Sequence, residues 1–271
     1  MKIIISHDVD HIYSKDHLFK DLILEKMALR GAAQLLHKQI GLKTFIYRCF
    51  IVFRKRMNRI DEVMKFDKEH HVPSIFFFGM DNVLGMSYSK KNAQIYIKKV
   101  LDNGFDVGVH GCDYLNEYQI KKEHDDFKQL SGRENFGIRN HYVRFDNETF
   151  AKMNKAGYLF DSTYFNKDKT ELVNPYKVGN MWEFPLHIMD VYVCKQGALE
   201  AGLKSTFSII REAERRNLKY CTILFHDYQF DKTFDPDRME WYIRTIEFCE
   251  KSGYEFISYR DAIEELEYEH N

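Results

Sequence analysis

Two carboxylates, Asp8 and Asp10, follow the apolar run Ile3-Ile4-Ile5 and are separated by a single residue. The run and the polar residues after it predict a buried strand that ends at a polar rim. Because residues i and i+2 of a strand face the same way, the two carboxylates project together. Like charges this close repel unless one binds a metal or the pair shares a proton. The pair therefore suits a metal ligand beside a catalytic base, and the alternative is a strand end that caps the next helix.

Other predicted strands also end in side chains that suit metal binding or acid–base chemistry. They are His7 and His11 beside the first pair, His110, Cys112 and Asp113 after residues 105–109, Arg139, His141 and Tyr142 after residues 136–138, His187 and Asp190 around residues 190–194, and His226 and Asp227 after residues 221–225. A single histidine at a strand end is usually structural, whereas five such ends on one face indicate a site. An aspartate and an imidazole begin a zinc site with an open position, and the other groups suit a base, an orienting cation and an acid.

The elements that must position these groups alternate between short apolar strands and longer amphipathic helices. The predicted strands are residues 2–6, 73–78, 105–109, 137–139, 158–160, 182–184, 190–194, 220–225 and 255–258. The predicted helices are residues 15–36, 42–70, 90–102, 147–156, 204–217 and 237–251. This alternation predicts a parallel α/β fold, and the number of strands favours a barrel over an open sheet. In such a barrel the carboxyl ends of the strands carry the chemistry.

The composition limits the classes of function. The chain has 271 residues, of which 44% are hydrophobic, and this is enough for one sizeable domain. Its net charge of −1 provides no global attraction for nucleic acid, so we expect no nucleic-acid partner. The five cysteines are widely spaced and form no CxxC motif, which argues against a disulfide framework or a zinc ribbon. With neither a signal-like segment at the start nor a long apolar segment, we expect a cytoplasmic protein.

The strand-end motifs, in their order along the chain, resemble those of the polysaccharide deacetylases, the NodB-homology domains of carbohydrate esterase family four. The matching segments are Ser6–His11, Phe76–Gly79, Gly104–His110, Gly137–Tyr142 and Leu224–His226, and they span most of the chain. Three further segments, Arg139–Phe145, Asp161–Thr163 and Pro185–Asp190, are similar to an uncharacterised branch associated with bacterial O-antigen and capsule loci. The resemblance implies a distorted, seven-stranded (β/α) barrel formed by residues 1–271 as one domain. A helical insertion follows the first strand at about residues 13–70.

The same resemblance implies a role for each matching residue. It makes Asp8 the catalytic base, Asp10 and His110 metal ligands, Arg139 the residue that holds Asp8, the backbone N–H of Tyr142 a donor to the oxyanion, and His226 the general acid. The implied cofactor is a divalent metal, with Zn expected and Co, Mn or Ni as alternatives.

The chain departs from the family pattern at the second metal histidine. Tyr114 stands four residues after His110, where the family has that histidine, and a phenol is a poor zinc ligand unless it is ionised. Asp113, one residue earlier, and His141, where the family has proline, are the two candidates for the third ligand.

The carboxylate that supports the acid–base pair also stays open in the sequence. Asp161 and Asp190 are both candidates for the residue that tunes Arg139 and His226.

A basic segment follows the first strand. Between residues 26 and 60 there are nine basic residues and no acidic one, interleaved with aromatic and aliphatic residues at 45–53. A basic amphipathic helix beside a glycan site suits contact with anionic lipid, or with the diphosphate of a lipid- or nucleotide-linked sugar. The alternative is that its apolar side chains pack on the barrel and its basic side chains pair with the barrel's acidic surface.

The implied function is metal-dependent de-N-acetylation of an N-acetylated sugar in a bacterial surface polysaccharide or its precursor. Two alternatives are a barrel that has lost catalysis and binds a glycan or a lipid-linked precursor, and a related amidase for a small cyclic amide. The expected partner is a carbohydrate. A lipid- or nucleotide-diphosphate link on it, and contact of residues 26–60 with the inner face of the membrane, are further candidates.

Overall fold

The computed structural model of the protein describes residues 1–17, 20 and 23–270. Its strands are β1 (Lys2–Val9), β2 (Ile75–Gly79), β3 (Asp106–Gly111), β4 (Gly137–Asn140), β5 (Phe160–Asp161), β6 (Tyr176–Val178), β7 (Met181–Glu183), β8 (Ile188–Met189), β9 (Tyr220–Leu224) and β10 (Glu255–Phe256). Its helices are α1 (Ile23–Leu36), α2 (Leu42–Cys49), α3 (Ile60–Glu69), α4 (Lys90–Asp102), α5 (Glu117–Ser131), α6 (Thr149–Ala156), α7 (Asp190–Val193), α8 (Leu199–Arg215), α9 (Pro236–Lys251) and α10 (Tyr259–His270). Short 3₁₀ turns lie at Ser14–His17, Ile51–Phe53, His141–Val143 and Asp227–Gln229.

The strands of the described residues form one curled sheet, and this confirms the predicted barrel-like α/β fold. The strand order is β6-β7-β5-β4-β3-β2-β1-β9-β8, and β10 pairs with the start of β1. The sheet has ten strands where the resemblance implied seven, partly because several are only two or three residues long. All strand pairs are parallel except β6 with β7, so the carboxyl ends of most strands meet at one edge.

Strand β1 lies between β2 and β9 and is buried on both faces from Ile3 to Val9. Continuous β-branched residues suit this position, because a parallel sheet covered by helices exposes neither face to water. The sequence therefore predicted a strand here correctly, but the predicted range, residues 2–6, was too short. The strand continues through the polar residues of the first motif to Val9.

Some predicted elements differ from the structure. Residues 190–194 do not form a strand; Asp190–Val193 is the short helix α7. The predicted helix 42–70 is divided into α2, a 3₁₀ turn and α3. Helices α5 and α10 were not predicted.

The insertion between β1 and β2 consists of α1, α2 and α3, and several of its basic residues bind the barrel. Arg48 donates from Nε and Nη2 to the carbonyl of Phe234 at 2.9 and 2.7 Å. Arg59 pairs with Asp231 of the turn that follows β9, and Arg56 pairs with Asp61 and Glu62 of α3. Arg48 and Arg59 therefore hold the insertion on the barrel, whereas Arg56 links residues within the insertion. No helix among the described residues is both long and apolar enough to cross a bilayer.

Candidate metal centre and active site

Asp10, His110 and His141 come together at the carboxyl edge of the sheet. Asp10 follows β1, His110 lies near the end of β3, and His141 begins the turn after β4. Asp10 Oδ1 lies 3.3 Å from both His110 Nε2 and His141 Nδ1, and these two nitrogens are 3.1 Å apart. All three residues are buried, and their facing atoms form the group suited to a metal ion in the described part of the chain.

The hydrogen bonds of the two histidines identify which nitrogens carry protons. His110 Nδ1 lies 2.9 Å from the carbonyl of Arg139, and His141 Nε2 lies 3.1 Å from the carbonyl of Leu84. A carbonyl only accepts, so in the neutral rings these nitrogens are the protonated ones. His110 Nε2 and His141 Nδ1 then face each other as two lone pairs, and Asp10 Oδ1 beside them has no hydrogen-bond partner. Three acceptors converge with no proton between them, which is the arrangement that a cation stabilises.

The spacing of the three acceptors also fits a tetrahedral ion. Zinc binds nitrogen and oxygen at about 2.0 Å, so two tetrahedral ligand atoms lie about 3.3 Å apart. The three observed separations, 3.1 to 3.3 Å, agree with this value. Burial raises the pKa of Asp10, but His141 and His110 beside it hold that pKa well below its usual value, so Asp10 is a carboxylate.

Asp8 lies beside this group and is fixed by Arg139. Arg139 Nη1 donates to Asp8 Oδ1 at 3.1 Å, while Asp8 Oδ2 lies 3.7 Å from His110 Nε2. The guanidinium is fully buried and also donates to Ser6 Oγ at 2.8 Å and to Ser162 Oγ at 2.9 Å. One oxygen of Asp8 is thus held by the arginine, and the other points towards the metal ligands.

His226 lies across the same group and is held by Asp190. Its Nδ1 is 2.8 Å from Asp190 Oδ1, and its backbone N–H donates to Asp190 Oδ2 at 2.8 Å. Its Nε2 lies 3.8 Å from Asp10 Oδ2. Against the effect of burial, Asp190 raises the pKa of His226 to about 10. His226 is therefore an imidazolium at neutral pH that directs one N–H into the site.

Asp161, the other candidate for this support, lies elsewhere. It accepts a hydrogen bond from Thr163 Oγ1 at 2.5 Å, and that hydroxyl in turn accepts from the backbone N–H of Asn140 at 2.9 Å. Asp161 also lies opposite Glu183 on β7. Burial and Asp161 raise the pKa of Glu183 well above its usual value, so the two carboxyls share a proton. Asp161 thus supports the chain just before His141, and Asp190 is the partner of His226.

Asp113 is not part of the ligand group. Its Oδ1 accepts hydrogen bonds from the backbone N–H groups of Leu115 and Asn116 at 2.8 and 3.0 Å. It therefore stabilises the turn before α5, and of the two candidates for the third ligand the structure brings only His141 to Asp10 and His110.

The turn that carries His141 is strained. Tyr142 and Val143 adopt φ values of 60° and 47°, which residues with a side chain rarely do. Such conformations cost about 1 to 3 kcal/mol each and are concentrated at functional sites. The Tyr142 hydroxyl donates to the Leu84 carbonyl at 3.2 Å, the same oxygen that His141 contacts. The turn thereby places Tyr142, which is 45% exposed, at the mouth of the site.

The remaining strand-end residues have structural partners. His7 contacts Asp67 of α3 at 2.9 Å, His187 contacts the carbonyl of Val173 at 3.0 Å, His11 contacts His17 at 3.1 Å, Cys112 donates to the carbonyl of Asp81 at 3.2 Å, and Asp227 accepts from the backbone N–H of Arg59 at 2.8 Å. Of these, only His11 also lines the cavity above the metal ligands.

A cavity of about 880 Å³ opens above Asp10, His110 and His141, and helix α1 of the insertion forms part of its wall. Four cations at this wall have no ion pair among the described residues: Lys26 and Arg30 of α1, Lys167 after β5, and Lys195 after α7. Lys167 and Lys195 were not predicted as site residues, since nothing in their local sequence links them to α1. Ser6 was not predicted either, although it precedes Asp8 by two residues and so shares its face of β1.

The sequence matches no protein-family model and no curated protein. Its structure is similar to that of a protein described as a polysaccharide deacetylase from Mycobacterium smegmatis, with a TM-score of 0.65 and 13% identity over 97% of this chain and 88% of the other. It is also similar to PuuE allantoinase, with a TM-score of 0.59 and 14% identity over 96% and 87% of the two chains. A protein described as a polysaccharide deacetylase from Pseudomonas aeruginosa PAO1 gives a TM-score of 0.57 and 14% identity over 97% and 88%. The chain therefore has the fold of the NodB-type polysaccharide deacetylases, as the sequence motifs implied.

Proposed function

We propose that this protein is a metal-dependent hydrolase that removes the acetyl group from an N-acetylated sugar of a bacterial surface polysaccharide or its precursor. One observation carries the proposal: three converging acceptors on Asp10, His110 and His141 lie between an arginine-bound carboxylate and a carboxylate-bound imidazolium. These parts correspond to a metal site, a base and an acid, which amide hydrolysis by an activated water requires.

Asp8 is the base in this proposal. A divalent ion held by Asp10, His110 and His141 would polarise the amide carbonyl and lower the pKa of a water molecule. Asp8 accepts the proton of the attacking water at Oδ2, because Oδ1 is engaged by Arg139. Arg139 fixes the direction of Asp8, and the Tyr142 backbone N–H is the candidate donor to the developing oxyanion.

His226 is the acid. The C–N bond breaks only when the leaving nitrogen receives a proton, since an amide anion is a poor leaving group. His226 donates that proton from Nε2, and Asp190 on Nδ1 keeps the ring protonated and oriented. The products are acetate and the free amine of the sugar.

The substrate in the finer form of this proposal carries a diphosphate. A cavity of about 880 Å³ is much larger than a small cyclic amide needs. The four cations at its wall, which have no ion pair within the described part of the chain, favour an anionic group next to the sugar. A sugar joined to a nucleotide or lipid diphosphate has this chemistry. The proposal places the protein in the cytoplasm, with residues 26–60 beside the inner face of the membrane.

A small cyclic amide is the second candidate substrate, favoured by the similarity of the fold to an allantoinase. Three substrates distinguish the possibilities: a nucleotide-diphosphate N-acetyl sugar, the free N-acetyl sugar, and allantoin. We expect acetate and free amine in equal amounts from the sugars, faster from the diphosphate form. Opening of allantoin alone would replace the deacetylase by the amidase, and bound metal with no turnover would leave a binding protein.

Asp8→Asn and Asp113→Asn form a matched pair for this assay. Both remove one carboxylate with the same change of shape, but only Asp8 faces the metal ligands. We expect the first variant to lose most of its activity and the second to retain it. Equal rates in the two variants would contradict the assigned base.

A further inference from the structure

Helix α2 has an apolar outer side and a polar inner side. Leu42, Ile46 and Phe50 follow one another at intervals of four residues, so they lie on one face of the helix and its C-cap. They are 61%, 47% and 59% exposed. Thr44 and Arg48 on the other side are buried, and Arg48 binds the carbonyl of Phe234. This is the reverse of an ordinary surface helix, in which the apolar side faces the core.

Phe53 extends the same surface. It is 80% exposed, and its ring centroid lies 6.0 Å from that of Phe50. We call Leu42, Ile46, Phe50 and Phe53 the apolar face. Single exposed apolar residues are common, but a contiguous group that includes two phenylalanines marks a surface that another body covers.

The charged residues that neighbour the apolar face in the sequence are all positive. Lys43, Arg54 and Lys55 are exposed, and Arg54 stacks on the ring of Tyr47 at 3.9 Å. No acidic residue occurs between residues 26 and 60. Arg56 and Arg59, by contrast, are directed to carboxylates of the protein. The basic segment thus divides into inward arginines that fix the insertion and outward cations that surround an apolar surface.

We propose that the apolar face docks on an anionic lipid bilayer, with Phe50 and Phe53 entering the headgroup boundary and Lys43, Arg54 and Lys55 contacting lipid phosphates. An exposed apolar stripe bordered by cations is the pattern of helices that lie in the membrane interface. The docked element also adjoins the cavity, because α1 packs on α2, with Gly31 against the ring of Phe45, and lines the cavity wall. The docking requires no catalytic step, so it stands independently of the proposed reaction.

Vesicle co-sedimentation of the full chain tests the docking. Vesicles of phosphatidylcholine with phosphatidylglycerol are compared with vesicles of phosphatidylcholine alone. We expect binding to the anionic vesicles that weakens as the salt concentration rises, since added ions shorten the Debye length. Phe50→Ser with Phe53→Ser should weaken the partition about tenfold for each ring removed from lipid. Lys43→Gln with Lys55→Gln should weaken it about fivefold for each charge at low salt.

The chain provides matched controls for both changes. Ile95 and Tyr268 are 51% and 86% exposed on α4 and α10, so Ile95→Ser with Tyr268→Ser removes similar exposed apolar surface elsewhere. Lys91→Gln with Lys204→Gln removes two exposed lysines outside the insertion. These controls should bind vesicles like the unchanged protein, and all variants should unfold at the same temperature.

Three results would overturn the proposal. One is absence of binding to anionic vesicles by the unchanged protein, and another is equal loss of binding in the variants and their controls. The third is a concentration-dependent dimer in sedimentation velocity that Phe50→Ser with Phe53→Ser abolishes, together with no vesicle binding. That result would make a second copy of the chain the occupant of the apolar face.

Discussion

The rim of the barrel and the apolar face of α2 are opposite exceptions to the usual distribution of side chains. At the rim, Asp10, His110 and His141 are buried although they are polar, and their facing atoms lack protons to share. On α2, Ile46 and Phe50 are exposed although they are apolar. In both regions the exposure of the side chains is the opposite of what their polarity predicts. The polarity of each region therefore indicates the kind of partner that would bind there. We propose that a small cation completes the rim and that an anionic bilayer covers the apolar face.

The largest effect should come from removing one of the three acceptors. Asp10→Ala and His110→Ala should each weaken metal binding by more than about 100-fold, the upper end of what changes outside the direct ligands cost. Metal content after dialysis, measured by mass spectrometry, checks this. Asp113→Ala is the matched control and should keep its metal. Full metal occupancy in Asp10→Ala would show that the metal does not depend on the group at the rim. The comparison between the rim and the apolar face would then fail.

Removing the proton acceptor separates catalysis from metal binding. Asp8→Asn should retain its metal and lose about 10²- to 10⁴-fold in turnover, because the amide keeps the shape of Asp8 but cannot take the proton of water. Metal content and acetate release on the same sample check this. A loss of metal in this variant would instead make Asp8 a ligand.

The imidazolium of His226 gives a dependence on pH. Because Asp190 raises the pKa of His226 to about 10, the acid form persists through neutral pH and is lost only as the pH rises past that value. Asp190→Asn removes the stabilising charge, so the alkaline limb of the kcat profile should move to lower pH. Initial rates across the alkaline range check the direction. A limb that does not move would mean that another group is the acid.

The smallest effects are expected on stability, and they distinguish the inward arginines of the insertion from the residues of the apolar face. Arg59 donates to Asp231 and to the Tyr47 hydroxyl, so Arg59→Ala should lower the free energy of unfolding by about 2 kcal/mol. Phe53→Ser should change it by less than about 0.5 kcal/mol, because the ring is 80% exposed. Denaturant unfolding of both variants checks this difference. Similar losses in the two would show that the apolar face is part of the core.

Local features of the sequence predicted the central strands and the places of Asp10 and His110 at their ends, while the resemblance assigned these two residues to a metal. Strands β1 and β3 are short buried runs that end in Asp10 and His110, so the period of the strand and the edge of the sheet define where these residues lie. His141 could not be chosen over Asp113 in the same way. Its position depends on the left-handed backbone of Tyr142, and residues with a side chain give no sequence signal for that conformation.

The wrong and missing elements have physical reasons too. Val191-Tyr192-Val193 has the composition of a strand, but the chain turns after β8 and Asp190 begins a helix from which it binds His226. Helix α5 was missed because only Ile120 and Phe127 of its apolar residues are buried. Its other buried positions include Glu123, whose carboxylate accepts from the backbone N–H of Cys112 at 2.8 Å. Tertiary contacts of this kind leave no hydrophobic period in the sequence.

His110 and His141 are both oriented by main-chain oxygens, those of Arg139 and Leu84. Replacing the side chain at either position leaves the oxygen in the chain, so these two restraints are robust to point mutation. The restraint on His141 depends instead on the backbone conformation of the turn at Val83–Met86, because any movement of this turn displaces the oxygen that holds His141. Since Leu84 also lines the cavity, a ligand that pushes on this turn would alter metal affinity without touching a ligand residue. Directed evolution for a new metal preference should therefore favour changes in the length of this turn over substitutions around the histidines.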